Sequence, residues 1–104
     1  MSQATYANIP VDINDQGFFT EPAQWSEAMA PDIAATVGIE ITDRHMDVIR
    51  FQRKQFEDNG DGLSVRALSK VSGIPVKELY QLFPKGPAKL ASLIAGIPKP
   101  RGCI

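Results

Sequence analysis

The period of apolar positions changes several times along the chain, and each change predicts an element. Ile9-Pro10-Val11-Asp12-Ile13 alternates apolar and other residues, the two-residue period of a strand. Asn14-Asp15-Gln16-Gly17 is turn chemistry, and Phe18-Phe19 starts a return strand, so a small β-hairpin is expected with Pro10 at an edge. Residues 1–8 are polar and read as loose. Trp25, Ala28, Met29, Ile33 and Val37 then recur at three- and four-residue steps, the stripe of a helix. Thr20 is its expected N-cap, Pro22 lies in its first turn, Gly38 stops it, and Pro31 kinks or divides it.

Thr42 caps a second predicted helix, which runs to about Asp58 before Asn59-Gly60. His45, Ile49, Gln52 and Phe56 share one face of it, and Met46, Ile49, Arg53 and Phe56 overlap that face. Ser64 to Ser72 forms a short helix ended by Gly73, and Pro75-Val76 opens another, to about Phe83. Pro84-Lys85-Gly86-Pro87 is a break; Ala88 to Ala95 forms the last helix, ended by Gly96. The expected fold is mainly α with a minor β part (α+β). It is a small helical bundle with an N-terminal β-hairpin, a helix-turn-helix-like segment and a flexible C-terminal arm. Residues 1–96 are the body and 97–104 the arm.

A chain of 104 residues with 43% hydrophobic positions suits one domain that folds without a metal or a disulfide. A single cysteine and a single histidine exclude an internal disulfide and a multi-ligand zinc site, so no metal and no cofactor is expected. No run approaches the roughly 20 apolar residues that span a bilayer, and no basic-then-apolar leader opens the chain. These features read as a cytoplasmic protein with no membrane partner, in a compartment that keeps the thiol reduced. The net charge of −1 conceals an asymmetry: residues 1–65 carry 4 Lys/Arg against 11 Asp/Glu, and residues 66–104 carry 7 against the single acid Glu78. A basic face of that kind suits an acidic protein or RNA.

The lone thiol, Cys103, stands next to last, after Gly96-Ile97-Pro98-Lys99-Pro100-Arg101-Gly102. Two prolines and a glycine stop a helix from continuing there. Eight extended residues reach about 26 Å. Pro98 and Pro100 stiffen the arm, Gly96 and Gly102 shape it, and Lys99 and Arg101 orient it. Lys99 and Arg101 favour the thiolate and the carboxylate of Ile104 opposes it. At ~6 Å in water each interaction is worth about 0.7 kcal/mol, so they nearly cancel. Such a thiol suits a carrier more than a stand-alone enzyme. Arg66, Tyr80, Lys85 and Lys89 are candidate partner contacts.

The chain resembles the DsrC/TusE family of sulfur-relay proteins. The stretches that carry the resemblance are Leu79-Tyr80-Gln81-Leu82-Phe83-Pro84-Lys85-Gly86-Pro87-Ala88-Lys89, Ala95-Gly96-Ile97-Pro98-Lys99-Pro100 and Gly102-Cys103, with Asp15-Gln16-Gly17-Phe18 and Gln24-Trp25 upstream. Gly38-Ile39, Thr42, His45 and Val48-Ile49-Arg50 fit as well. The resemblance implies that Cys103 accepts sulfur as a persulfide and hands it on. The expected partners are sulfur-donor and sulfur-acceptor proteins: a sulfurtransferase, a tRNA-thiolation enzyme, or a complex like sulfite reductase or heterodisulfide reductase. In the DsrC branch a second cysteine lies eleven residues upstream; here that position is Ser92, which favours a TusE-like, single-thiol relay. The segment between Arg66 and Leu79 is shorter than in most members, and Arg101 replaces a small residue.

Residues 64–80 also fit a DNA-binding helix-turn-helix. Gly73 would sit at the turn, Ala67, Leu68, Val71, Ile74, Val76 and Leu79 would pack the helices, and Lys77, Tyr80 and Gln81 would read the DNA. A transcriptional regulator is therefore the alternative function, with DNA or RNA as a secondary partner. It leaves the terminal thiol without a purpose. His45 reads as a helix-face residue near the Thr42 cap rather than a general base, and Trp25 as core.

Overall fold

Among the described residues, five α-helices and one hairpin form where local chemistry starts and stops them. The computed structural model describes residues 2–101, so the expectations for Gly102 and Cys103 lie outside the described residues. Strands β1 (Ser2–Tyr6) and β2 (Ile9–Ile13) pair antiparallel, with Ala4 opposite Val11. Residues 2–6 are thus a strand and not loose, and the expected return strand shrinks to one bridge between Ile13 and Phe19. Ala7 and Asn8 both take positive φ, 50° and 65°, and the Ala7 N–H donates to Asp32 Oδ2 at 2.7 Å. Val11, Phe18 and Phe19 bury their side chains beneath this hairpin.

The single helix expected between Thr20 and Val37 is three pieces. Two 3₁₀ turns, Pro22–Gln24 and Glu27–Met29, precede α1 (Ala30–Thr36). Pro22 and Pro31 each sit at the start of a piece, where a missing N–H costs nothing. Glu21, not Thr20, is the first cap, and Ala28 is exposed, so the continuous stripe is broken.

Helix α2 (Asp43–Asn59) starts at a capping box. Thr42 Oγ1 accepts from the His45 N–H at 3.4 Å, and the Thr42 N–H donates to His45 Nδ1 at 3.1 Å. With Nδ1 accepting, Nε2–H donates to the Leu82 carbonyl at 2.8 Å, so both ring nitrogens are engaged in structure. Gly60 closes α2 in the left-handed region, φ 78°. Ser64 caps α3 (Val65–Ser72) through the Ala67 N–H, Gly73 ends it, and α4 (Val76–Leu82) follows.

Helix α5 (Pro87–Ile94) is buried along nearly its whole length and packs against α1, α2, α3 and α4. A short helix buried at every position but Lys89 belongs at the centre, and it is from the end of this helix that the arm departs. No described helix is long and apolar enough to cross a membrane.

Candidate functional site: the arm and its root

The end of α5 is a Schellman motif. Gly96 takes φ 69°, its N–H reaches the Leu93 carbonyl at 3.3 Å, and the Ile97 N–H reaches the Ser92 carbonyl at 3.2 Å. Ile97 is fully buried, so the residue that opens the predicted arm is a core residue. From there to Cys103 six residues reach about 20 Å, less than the full segment. Pro98 is exposed, Lys99 half-buried, Pro100 buried and Arg101 exposed. The Arg101 N–H donates to Asp61 Oδ1 at 3.2 Å, which ties the described end of the arm to the loop after α2.

Two side chains finish the helix end. Trp25 Nε1–H donates to the Ile94 carbonyl at 2.8 Å. Arg53 donates from Nη1 to the Ala95 carbonyl and from Nη2 to the Pro22 carbonyl, both at 2.8 Å. Its guanidinium lies 4.6 Å from the centroid of the Trp25 ring. Burial pushes the Arg53 guanidinium pKa down, opposed by Glu57. Gly96 packs so closely that a side-chain carbon there would stand 2.4 Å from Trp25 Cδ1.

Beneath the arm, Ser92 is completely buried. Gln52 Nε2 donates to the carbonyl of Leu63 at 3.0 Å and lies 3.3 Å from Ser92 Oγ; its Oε1 accepts from the Leu63 N–H at 2.6 Å. One buried amide therefore satisfies both backbone groups of Leu63. Gly62 covers the pair, for a side-chain carbon there would lie 3.3 Å from both Ser92 Oγ and Gln52 Oε1.

The remaining sequence candidates stand elsewhere. Arg66, Tyr80 and Lys85 are exposed and Lys89 half-buried. Among the described residues the hydrogen bonds of the arm go to Ser92 and Asp61, and none goes to Tyr80. Val71 and Val76, expected to pack α3 on α4, are instead 49% and 39% exposed, beside Tyr80 at 48%. Leu68, Ile74 and Leu79 alone of that set are fully buried. Glu78, the one acid of the basic half, pairs with Arg44, whose guanidinium holds its carboxyl below the usual carboxylate range. Arg66, Lys70, Lys77, Lys85 and Lys89 form no ion pair among the described residues. The sequence places Gln52 and Arg53 on the apolar face of α2 without a role at the arm, and does not single out Asp61. The available signal was a charged or polar residue set within the apolar face of α2.

A helical body with its one thiol a few residues beyond an anchored helix end has the layout of a carrier. Among the described residues no group of acidic, histidine or cysteine side chains is arranged to hold a metal. The chain belongs to the DsrC-like family: the family model described as DsrC like protein matches residues 5–104. Sulfurtransferase TusE of Yersinia pseudotuberculosis is 41% identical over 101 residues, spanning 90% of this chain and 94% of that one. The gamma subunit of dissimilatory-type sulfite reductase from Nitratidesulfovibrio vulgaris is 35% identical over 105 residues, with both chains fully covered. The solution structure of Allochromatium vinosum DsrC superposes with a TM-score of 0.87 at 32% identity, covering 98% of this chain and 97% of that one. The regulator reading of α3 and α4 has no support from these relatives.

Proposed function

We propose that this protein is a sulfur carrier, working in the cytoplasm, that holds a persulfide on Cys103. The observation that carries the reading is the family match, which runs from residue 5 through the lone penultimate cysteine. In the proposed step the Cys103 thiolate attacks the outer sulfur of a donor persulfide. The donor S–S bond breaks, a new S–S bond forms on Cys103, and the donor leaves as a thiolate. No oxidant is consumed. Similarity to a sulfurtransferase and to a sulfite-reductase subunit supports sulfur transfer; Ser92 in place of a second thiol favours the TusE-like relay. Residues 97–104 act as the arm, with Pro98, Lys99, Pro100, Arg101 and Gly102 shaping its approach.

The cations Arg66, Lys70, Lys77, Lys85 and Lys89, unpaired among the described residues, together with exposed Val71, Val76 and Tyr80, form the docking side. An aromatic and two valines among lysines suit an acidic protein surface with an apolar centre. Incubation with inorganic polysulfide, followed by intact mass measurement, is expected to add about one sulfur atom, located in the C-terminal peptide. No adduct under conditions that charge a known carrier would refute the reading.

Ser92→Cys tests the reach of the arm. Arg101 is held at Asp61, beside the Gly62 cover of Ser92, and two further residues span at most about 7 Å. Mild oxidant is expected to remove both thiols of this variant without dimer formation, slowly, because residue 92 is buried. A thiol count that stays at two would show that the arm does not fold back so far.

A further inference from the structure

We propose that Arg53, stacked on Trp25, is a positioning residue that fixes the heading of the C-terminal arm and so the approach of Cys103 to a partner's sulfur. The inference rests on the carrier reading and extends it to a residue outside the arm. Helix α5 leaves its last carbonyls without helical partners. Backbone N–H groups of the Schellman motif take those of Ser92 and Leu93, Trp25 takes that of Ile94, and Arg53 takes that of Ala95. Arg53 also holds Pro22, so one planar fork ties the arm's root to the 3₁₀ turn that precedes Trp25. Lysine has no fork and cannot hold both carbonyls with that fixed geometry. The cation also complements the negative end of α5.

Covering Trp25 alone does not call for a guanidinium whose side chain is only 16% exposed. An aliphatic side chain would cover the ring without desolvating a charge. What the guanidinium adds is direction. The root sets the line along which Pro98 to Arg101 run to their contact at Asp61, so a shift at the root is passed on to every residue that follows. Sulfur exchange needs reacting atoms within roughly 3.5 Å. A loosened root therefore spreads the thiol over many approaches that do not react.

The test uses the single cysteine as a label site. A nitroxide on Cys103 broadens body amides in proportion to its proximity, and the pattern maps the arm. The protein with native Arg53 is expected to show one confined patch. Arg53→Lys and Arg53→Met should spread broadening beyond that patch and weaken it at least twofold at its centre, while body chemical shifts away from residues 22–25 and 94–97 stay in place. Trp25→Phe, which frees only the Ile94 carbonyl, should fall between. Superimposable maps would overturn the proposal, as would a changed map accompanied by shifts throughout the body, since that is a general loss of packing. Unlabelled variants should react with inorganic polysulfide at the native rate, because a small anion approaches from any side. Should the unmodified protein gain no sulfur, the carrier reading fails while the label maps still judge the arm's root.

Discussion

Cys103→Ser is expected to abolish sulfur carriage outright while leaving the thermal midpoint within a degree or two of the parent. Carriage requires a thiolate able to form and release an S–S bond, and a serine hydroxyl does neither. No other residue can substitute, because the chain has no second cysteine. The fold should be indifferent, since the core is built from Val11, Phe18, Ile33, Ile49, Leu68, Phe83 and their neighbours up to Ile97. Intact mass after polysulfide treatment reads the first part and a thermal melt the second. A sulfur adduct retained by the serine variant would refute persulfide carriage by Cys103.

Gly96→Ala should be the most damaging single-methyl substitution at the root. Alanine at φ 69° costs about 1–2 kcal/mol for its backbone alone. The added carbon also meets Trp25 at 2.4 Å, and overpacking of that sort costs about 1–3 kcal/mol more. A combined loss of about 2–5 kcal/mol, from a domain expected to hold roughly 5–15, lowers the midpoint on the order of 10–20 °C. Gly38→Ala is the internal control: φ is 74° there, but the new carbon meets nothing within 4 Å. Its fall should be less than half as large. Equal losses in the two variants would show that the contact with Trp25 is not the source.

The helices after residue 42 were legible because their ends are written locally. Thr42 and Ser64 supply side-chain acceptors, Gly60 and Gly73 the left-handed stops, and Pro87 the first turn of α5. Strand β1 was not legible, for Ser-Gln-Ala-Thr-Tyr has no apolar alternation and is extended because β2 pairs with it. The Trp25–Val37 stripe misled because a helical period is also satisfied by short turns that two prolines restart. The identity of the thiol and its flanking arm came from adjacent residues. The arm's root did not, since Trp25 meets Ile94 across 69 positions and Arg53 meets Ala95 across 42. Nor did the exposure of Val71 and Val76, which an amphipathic pattern assigns to the interior but α4 leaves at the surface.

The buried hydroxyl of Ser92 bears on the electron economy of the proposed cycle. A second thiol at that place would attack the persulfide, expel hydrogen sulfide and leave an internal disulfide that a reductant must reopen. With oxygen there, sulfur leaves Cys103 at the oxidation level at which it arrived, and the empty protein is the starting thiol again. Turnover would then depend on how often donor and acceptor are met, not on any supply of reducing equivalents to the carrier itself.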